Sequence, residues 1–458
     1  MSTTYSIIGL GKLGASMAAA IASRGFQVIG VDLNHHAVDL MNAGHAPVQE
    51  TRLEETIAAN RERLRATLSH QEAILNSDVS FVIVPTPSDE RGAFSLQYAK
   101  WAFQEIGRAL AKKEGYHLVV MTSTVLPGST RYGLLPVLER ESGKTCGRDF
   151  GLCYSPEFIA LGSVIRDFLN PDFNLIGEHD ERAGNQLQAC YAEIMENDPP
   201  RQRMSLENAE LTKVALNTFV TTKITYANML AELCSRLPGG DVDVVSNALG
   251  FDTRIGRKYL TGGLGYGGPC FPRDNVALSY FARAVGCEAS LAETTDRLNR
   301  SSTAKLIQSL GSILKARATV AILGLAYKPY SHVVEESQGV YLARELAASG
   351  FRVVAYDPLA KEMARQELTD KVVVLGDLNV CLQQADAVVI ATPDPEFRAL
   401  QAADFPKKNQ PVVVFDCWRI LREKLNSSSH VRYIGLGIGI DDATCSARLK
   451  ELWSNDVR

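Results

Sequence analysis

The sequence lacks any apolar run that approaches the roughly 20 residues a helix needs to cross a bilayer. Its first residues, Met1-Ser-Thr-Thr-Tyr-Ser, contain no basic segment, which predicts that no signal peptide is present. An excess of basic residues is lacking too, because 48 Lys and Arg face 52 Asp and Glu and the net charge is −4. These absences predict a soluble cytoplasmic protein without a membrane or nucleic-acid partner.

The sequence also lacks any C-x-x-C pair, and its nine cysteines are scattered and odd in number. This pattern argues against a disulfide framework and against a zinc site, so no metal is expected. It favours reduced thiols, most of them small buried hydrophobic side chains. With 458 residues, 46% of them hydrophobic and 22% charged, the composition is that of a globular protein of two or three domains.

The N-terminal pattern predicts a βαβ unit. A strand over Tyr5–Gly9 is followed by a helix from about Ala15 to Arg24 and a second strand over Gln27–Asp32. Gly9, Gly11 and Gly14 lie at the G-x-G-x-x-G spacing of a dinucleotide-binding turn, and Asp32 follows 18 residues after Gly14. The carboxylate would bind a ribose 2′-hydroxyl, and because no arginine follows it, NAD is favoured over NADP.

Two later strands end in loops with hydroxyl side chains. Residues 79–84 lead to Thr86, and residues 117–121 lead to Thr124. Because ligands of open α/β sheets lie at the carboxyl ends of strands, both threonines are candidate cofactor contacts. Ordinary loop chemistry is the alternative for each.

The middle of the chain reads as helical and holds the chemistry. A helix predicted from Ser205 to about Leu237 places Lys213 and Asn217 on one face. The glycine-rich run Gly262–Asp274 contains Cys270, a candidate nucleophile, with Asp274 positioned to manage its proton. A thiol together with a nicotinamide cofactor suggests aldehyde-to-acid oxidation through a thiohemiacetal. The alternatives are a surface lysine at 213 and an inert buried thiol at 270.

The C-terminal third repeats the first. Gly350–Asp357 parallels Gly25–Asp32, but the turn Gly324-Leu-Ala-Tyr-Lys-Pro329 has alanine and proline where the first copy has Gly11 and Gly14. This second copy should hold a different phosphate-bearing ligand, with Lys328 as a point charge. The predicted fold class is α/β, with two Rossmann-like parallel-sheet domains joined by an all-helical connector. The predicted domains are 1–204, 205–315 and 316–458.

Five motifs in this order resemble the UDP-glucose/GDP-mannose dehydrogenases, which convert nucleotide sugars to uronic acids. They are the glycine fingerprint, Ser155-Pro-Glu-Phe158, Glu210-Leu-Thr-Lys213 with Asn217, the Cys270 loop and Gly324-Leu-Ala-Tyr-Lys328. The resemblance covers nearly the whole chain. Gly267–Asp274 and Asp252–Gly256 look like the UDP-glucose branch, whereas the N-acetylmannosamine branch typically has histidine at the position of Pro269.

The resemblance implies a four-electron oxidation at C6 that uses two NAD per sugar. Cys270 would be the nucleophile, and Lys213 and Asn217 would stabilise charge on the reacting oxygen. Asp274 would handle protons together with Lys213. Glu157 would activate the hydrolytic water, which Thr124 would help to hold.

The resemblance also implies binding residues and a partner subunit. The NAD contacts would be Gly9, Gly11, Leu13, Gly14, Asp32, Thr86 and Thr124. The substrate contacts would be Phe158, Lys213, Asn217, Arg254, Tyr259, Gly267, Lys328 and Trp418. Arg254 would reach the substrate of the partner subunit, which implies a homodimer formed through the connector.

Three positions depart from the family pattern: Leu161 replaces a glutamate, and Glu335 and Trp418 each replace an arginine. Loss of cations beside a diphosphate costs electrostatic energy. Arg419 or His332 would compensate, or Trp418 would stack on a base or sugar.

Several hypotheses therefore stay open. The same chemistry on another nucleotide sugar is one alternative to UDP-glucose, and a non-catalytic binding homologue is another. A β-hydroxyacid dehydrogenase would need neither the cysteine loop nor the second domain. The consuming pathway, whether capsule, exopolysaccharide or natural-product synthesis, also stays open.

Overall fold

The computed structural model describes residues 3–159, 161–368, 370–440 and 443–454. The chain divides into an N-terminal unit, Met1–Leu216 with Tyr280–Cys287, and a C-terminal unit, Asn217–Ser279 with Glu288–Arg458. The predicted division into three domains at 204/205 and 315/316 stays a prediction.

The N-terminal unit is built on one eight-stranded sheet. Its strands are β1 (Thr4–Ile8), β2 (Gln27–Val31), β3 (Leu64–Thr67), β4 (Val79–Val82), β5 (Leu118–Met121), β6 (Gly151–Tyr154), β7 (Asn174–Glu178) and β8 (Arg201–Ser205). Its helices are α1 (Lys12–Ser23), α2 (His35–Ala43), α3 (Leu53–Ala59), α4 (His70–Leu75), α5 (Gln97–Lys112), α6 (Leu135–Ser142), α7 (Val164–Leu169) and α8 (Glu181–Ile194), with a π-helical turn at Ser129–Leu134.

The strand order of this sheet is β3-β2-β1-β4-β5-β6-β7-β8. All neighbours are parallel except β6 and β7, so the sheet departs from the predicted parallel arrangement at that one junction. Burial on both faces explains the nearly continuous apolar runs in the central strands. In α1 every residue from Gly14 to Ala22 is buried, and the small alanines let this helix lie close to the sheet.

Four long helices follow along the chain: α9 (Leu206–Cys234), α10 (Val242–Phe251), α11 (Phe271–Ala284) and α12 (Ser290–Ile313). The division between the units falls within α9, after Leu216. Gly286 takes a positive φ of 79° and separates α11 from α12. No described helix is both long and apolar enough to cross a membrane.

The C-terminal unit contains the second sheet. Its strands are β9 (Thr319–Leu323), β10 (Arg352–Tyr356), β11 (Val372–Val374), β12 (Ala387–Ile390), β13 (Val412–Asp416) and β14 (Val431–Gly435). Its remaining helices are α13 (Gln338–Ala348), α14 (Lys361–Glu367), α15 (Leu378–Gln384), α16 (Pro395–Ala399), α17 (Arg422–Leu425) and α18 (Ala443–Ser454), with a 3₁₀ turn at Ala402–Asp404.

This second sheet is wholly parallel, in the order β11-β10-β9-β12-β13-β14. The order is that of the first six strands of the N-terminal sheet, as the internal repeat predicts. The predicted fold class, two Rossmann-like sheets with helices between them along the chain, is confirmed.

Two glycines of the first unit have structural counterparts in the second. A Cβ on Gly14 would lie 1.9 Å from the carbonyl oxygen of Gly9, and one on Gly339 would lie 2.0 Å from that of Gly324. Gly9 and Gly324 take nearly equal φ values of 102° and 104°. The expectation that Pro329 stands in the place of Gly14 is therefore wrong. The packing glycine is Gly339, because an extended turn, Leu325–Glu336, precedes α13.

A buried polar cluster ties together the strands that end at the predicted cofactor loops. His117 is fully buried, with Nε2 2.8 Å from Oγ of Ser80 and Nδ1 3.1 Å from the carbonyl oxygen of Ser77. The Ser80 hydroxyl also lies 2.5 Å from that of Ser6. Burial, with a smaller effect of Lys113, lowers the pKa of His117 to about 3.

This cluster generates a prediction for stability against pH. Because the pKa of His117 in the folded protein lies below its ordinary value, the unfolded state binds more protons between about pH 6.5 and about pH 3. Stability should therefore fall with decreasing pH in that window, by up to about 1.4 kcal/mol per pH unit.

Thermal unfolding midpoints at about pH 7 and about pH 5 test this linkage. His117→Asn keeps an N–H donor for the Ser77 carbonyl but does not titrate, so its midpoint should fall less on acidification than that of the native protein. Equal falls in both proteins would contradict the assignment to His117.

Candidate active site

The dinucleotide turn leaves open space over one of its glycines. Apart from Gly11 itself and its two chain neighbours, no described atom lies within 4 Å of the point that a Cβ on Gly11 would occupy, in contrast to the crowding at Gly9 and Gly14. Gly11 precedes α1, whose first-turn N–H groups, including that of Leu13, have no acceptor within the helix. The chain itself therefore needs no glycine at 11, and the space suits the pyrophosphate of a dinucleotide.

Asp32 and its counterpart Asp357 differ in how many hydrogen bonds the protein itself makes to each carboxylate. Asp32 follows β2, is half-buried, and accepts from the N–H groups of Leu10 (2.7 Å) and Asn34 (2.9 Å). Asp357 follows β10, is only 2% exposed, and accepts from four backbone N–H groups. Asp32 thus keeps carboxylate surface for a ribose, whereas Asp357 serves the fold of its own unit.

The two threonine loops are joined to each other. The Thr86 hydroxyl donates to the backbone carbonyl of Thr124 at 2.8 Å. Beside this contact, Oγ of Ser123 donates to the carbonyl of Val84 and accepts from its N–H. The structure thus brings Thr86 and Thr124 together at the carboxyl ends of β4 and β5, where the sequence places the cofactor.

A buried carboxylate connects the loop after β5 to α9. Glu210 is fully buried and accepts from the N–H groups of Gly128 (2.5 Å) and Thr130 (2.8 Å). Burial raises its pKa to about 7, against the effect of these hydrogen bonds. Glu210 therefore positions the segment that follows Thr124 against the helix that carries Lys213.

Lys213 contacts the Ser155–Phe158 motif within the N-terminal unit. Its ammonium donates to the carbonyl of Glu157 at 2.6 Å and lies 4.5 Å from the ring centroid of Phe158, and the residue is 8% exposed. The surrounding protein raises the pKa of the half-buried Glu157 to about 8, while the Lys213 charge acts in the opposite direction. A carboxyl with this pKa exchanges protons near neutral pH, which suits a general base.

Cys270 lies at the beginning of α11 in the C-terminal unit. Its carbonyl accepts from the N–H of Asp274 at 2.9 Å, and the residue is exposed. The partial positive charge of a helix N-terminus stabilises a thiolate there. Asp274 is 1% exposed, and its Oδ2 accepts from the amide of Asn217 at 2.6 Å. The structure thus brings together Asn217, Asp274 and the turn that bears the thiol.

The glycines before Cys270 allow close packing within the same unit. A Cβ on Gly267 would lie 2.2 Å from the carbonyl oxygen of Glu336, and one on Gly268 would lie 2.6 Å from the ring of Tyr327. The N–H of Gly268 also donates to the carbonyl of Glu335 at 3.1 Å. The extended turn Leu325–Glu336 therefore supports the cysteine loop.

Arg419 does not supply the positive charge that, as one alternative, would compensate for the missing cations beside a diphosphate. Only 2% of its side chain is exposed, and its Nε and Nη2 bind the Asp243 carboxylate at 2.7 and 2.9 Å. Nη1 and Nη2 also donate to the carbonyls of Leu436 and Gly262. These contacts use its donors, so Arg419 holds α10 and the start of the cysteine loop to the end of β13.

Trp418 also faces the glycine-rich loop. Its indole N–H donates to the carbonyl of Ala391 at 2.8 Å, and its ring would meet a Cβ on Gly263 at 2.7 Å. Trp418 is half-buried, so the position where the family pattern has an arginine is here a packed aromatic ring.

The other predicted substrate residues lie in the C-terminal unit. Arg254 has 87% of its side chain exposed and is held by Asp252, with Nη2 2.6 Å from Oδ2. Tyr259 is 51% exposed and takes a positive φ of 66°. The Lys328 ammonium lies 5.7 Å from the ring centroid of Tyr327. The Arg254 side chain is therefore exposed on the surface of this unit.

Sequence reasoning assigned no role to Glu210, Asp243 or Tyr327. Their roles arise from contacts distant in the sequence, 82 residues for Glu210 with Gly128 and 176 for Asp243 with Arg419. Glu210 stood within a recognised motif, which was the one available signal.

Comparisons with known proteins agree with this geometry. Three domain profiles of the UDP-glucose/GDP-mannose dehydrogenase family match the chain: the NAD binding domain over residues 3–195, the central domain over 207–301 and the UDP binding domain over 321–423.

Individual relatives match over most of the chain. UDP-glucose 6-dehydrogenase AglM of Haloferax volcanii is 36% identical, covering 93% of this chain and 99% of that protein. GDP-mannose 6-dehydrogenase of Pseudomonas putida is 35% identical, covering 86% and 92%. The structure of a UDP-glucose dehydrogenase from Pyrobaculum islandicum matches with a TM-score of 0.86 at 35% identity, covering 96% of this chain and 98% of that chain. The predicted resemblance and the NAD cofactor are confirmed, and this chain belongs to the UDP-glucose/GDP-mannose dehydrogenase family, whose members are NAD-dependent nucleotide-sugar dehydrogenases.

Proposed function

We propose that this protein oxidises the C6 hydroxyl of UDP-glucose, or of a closely similar nucleotide sugar, to the uronic acid in two steps at Cys270. The observation that carries the proposal is the exposed Cys270 at the beginning of α11, whose carbonyl accepts from the N–H of Asp274 while the Asp274 carboxylate binds the amide of Asn217. We place this reaction in the cytoplasm, where a reduced thiol persists.

Different residues bind the cofactor, stabilise charge and form the covalent intermediate. The Gly9–Gly14 turn and Asp32 would hold NAD, which would supply the hydride acceptor for each of the two oxidations at C6. Lys213 and Asn217 stabilise negative charge on the sugar oxygen as its proton passes to Asp274 and from there to solvent. The Cys270 sulfur then bonds to the aldehyde carbon, and Asp274 accepts the thiol proton. This thiohemiacetal loses the second hydride and becomes a thioester.

Hydrolysis completes the reaction. Glu157 takes a proton from a water held near Thr124, the water oxygen bonds to the thioester carbon, and the carbon–sulfur bond breaks. The acid leaves and Cys270 regains its proton. The raised pKa of Glu157 and its place beside Lys213 support this role.

The choice of UDP-glucose rests on the cysteine loop, because identity to relatives does not separate the nucleotides. The UDP-glucose relative and the GDP-mannose relative are 36% and 35% identical. Gly267–Asp274 resembles the UDP-glucose branch. The indole of Trp418 is bound to Ala391, and the guanidinium of Arg419 is bound to Asp243. These contacts favour a second candidate function, the same chemistry on another nucleotide sugar.

The stoichiometry of the reaction tests this proposal. We expect two NADH per sugar consumed with UDP-glucose, and loss of this turnover by roughly 10⁴-fold or more in Cys270→Ser, because the nucleophile is removed. Absorbance of NADH with UDP-glucose, UDP-N-acetylhexosamines, GDP-mannose and dTDP-glucose in parallel provides the measurement.

Cys287→Ser, which removes another exposed thiol, is the control and should keep the native rate. Two NADH from another sugar alone would replace UDP-glucose by that sugar. One NADH per sugar would exclude the thioester route, and turnover of none would favour a non-catalytic homologue.

The hydrolysis step should depend on pH. Because the pKa of Glu157 is raised to about 8, its carboxylate form increases as pH rises, so the rate of thioester hydrolysis should rise and level off above that pH. At pH 7 it should be roughly one tenth of the plateau. Glu157→Gln should form the thioester and then stall, which mass spectrometry of the protein would detect as a covalent adduct.

Glu207→Gln is the matched control, since Arg131 lowers the pKa of Glu207 and it cannot titrate near pH 8. An unchanged inflection in Glu157→Gln would exclude Glu157 as the base.

We also propose a homodimer that forms through α9. Phe219, Tyr226, Met229 and Leu233 are 65%, 46%, 44% and 52% exposed and follow one another at spacings of seven, three and four residues. This spacing places them on one face of the helix. Large apolar side chains along an exposed helix face are typical of an interface.

A substitution on this face should therefore change the mass of the particle in solution. Light scattering after size exclusion should give twice the chain mass of 50.0 kDa for the native protein and a single chain for Phe219→Glu. Tyr132→Glu, at a tyrosine that is 73% exposed in the N-terminal unit, should stay dimeric. A dimer in Phe219→Glu would exclude this face.

A further inference from the structure

A second cluster of chemically reactive side chains lies far from the cofactor loops. Since β7 runs antiparallel to β6, the end of β7 lies beside the beginning of β6, and the N–H of His179 donates to the carbonyl of Leu152 at 3.0 Å. This is the edge of the sheet opposite to the carboxyl ends of β4 and β5. Cys146, His179 and Asp180 meet there.

The three side chains offer a sulfur, a nitrogen and an oxygen to one point. One ligand atom of each lies within 4.8 Å of those of the other two. Nδ1 of His179 lies 3.4 Å from Oδ2 of Asp180. Both atoms face Gly147, the neighbour of Cys146, because a Cβ there would lie 3.6 Å from Oδ2 and 4.0 Å from Nδ1.

The backbone already holds each of these residues in place. The N–H of Cys146 donates to Oε1 of Glu139 at 3.1 Å, and a bridge to Phe150 closes the turn before β6. Oδ1 of Asp180 accepts from the N–H of Ala183 at 3.1 Å and caps α8, which leaves Oδ2 directed toward His179. The cluster therefore needs little ordering to accept a ligand.

The thiol is mostly buried and lies near two carboxylates. Burial, then Asp180 and Glu139, raise the pKa of Cys146 to about 12, while the Arg131 charge acts in the opposite direction. The nearby cation Arg182 is held over the ring of Tyr116, with its guanidinium carbon 3.5 Å from the centroid. A divalent cation would be attracted by these carboxylates, and it would replace the thiol proton, which passes to solvent.

We propose that Cys146, His179 and Asp180 form a binding site for Zn²⁺ or a similar transition-metal ion, with water as the fourth ligand. Ligand atoms around a tetrahedral zinc are roughly 3.3–3.6 Å apart, given bonds of about 2.0–2.3 Å, and the His179–Asp180 distance already agrees. Mg²⁺ and Ca²⁺ prefer oxygen ligands, so a site with a sulfur and an imidazole nitrogen favours a transition-metal ion over either of them. The ion would tie the turn before β6 to the beginning of α8. The proposal is independent of the reaction at Cys270.

Cobalt titration of the full chain after treatment with a chelator tests the site. We expect one Co²⁺ per chain, with a thiolate-to-metal charge-transfer band in the near ultraviolet, displacement of cobalt by Zn²⁺, and a higher thermal midpoint with Zn²⁺. Cys146→Ser should abolish the band. His179→Gln should weaken binding by more than the roughly 10–100-fold that loss of an outer-shell partner costs.

Asp180→Asn gives a second test if Cys146→Ser folds poorly. Asparagine caps helices as well as aspartate does, so α8 is kept while the metal affinity should fall more than tenfold. Cys287→Ser and Cys270→Ser should both keep the band. Absence of the band in the native protein, its survival in Cys146→Ser, unchanged affinity in Asp180→Asn, or its loss in Cys270→Ser would each overturn the proposal.

Discussion

The rest of this structure depends on the close approach of a helix to the turn that precedes it, which is found in both units. Gly14 in α1 and Gly339 in α13 contact the carbonyl oxygens of Gly9 and Gly324 so closely that no Cβ fits. This approach places each helix against its sheet and brings its N-terminus to the carboxyl ends of the strands. The same constraint has been kept in both copies because it concerns packing.

Gly11 behaves differently, since the protein leaves the space over it open. The corresponding turn of the second copy has Ala326 in the place of Gly11. Its extended turn, Leu325–Glu336, contacts Gly267 and Gly268, and its strand-end carboxylate Asp357 is occupied by four backbone N–H groups. The dinucleotide turn of the N-terminal unit thus has a counterpart in the C-terminal unit, and that counterpart supports the cysteine loop of its own unit.

Buried charged groups organise the loops around the candidate chemistry. Glu210 fixes the turn after Thr124, Arg419 joins α10 to the cysteine loop, and Asn217 holds Asp274. Each buried charge is compensated by hydrogen bonds, so loss of one partner would leave the other desolvated. Rigid placement of this kind is what a reaction with a covalent intermediate and two hydride transfers requires.

Local patterns in the sequence were enough to predict the βαβ unit, the repeat and the fold class, because glycine spacing and strand periodicity are properties of neighbours along the chain. Local patterns were not enough to predict that Gly339 packs against Gly324 or that Arg419 binds Asp243. The extended turn shifts the register of the repeat, and the ion pair joins residues 176 positions apart. The spacing of the cysteines likewise argued against a zinc site, yet the antiparallel pairing of β7 with β6 brings Cys146 to His179 and Asp180. Such contacts depend on how strands pair, and only the tertiary structure decides that.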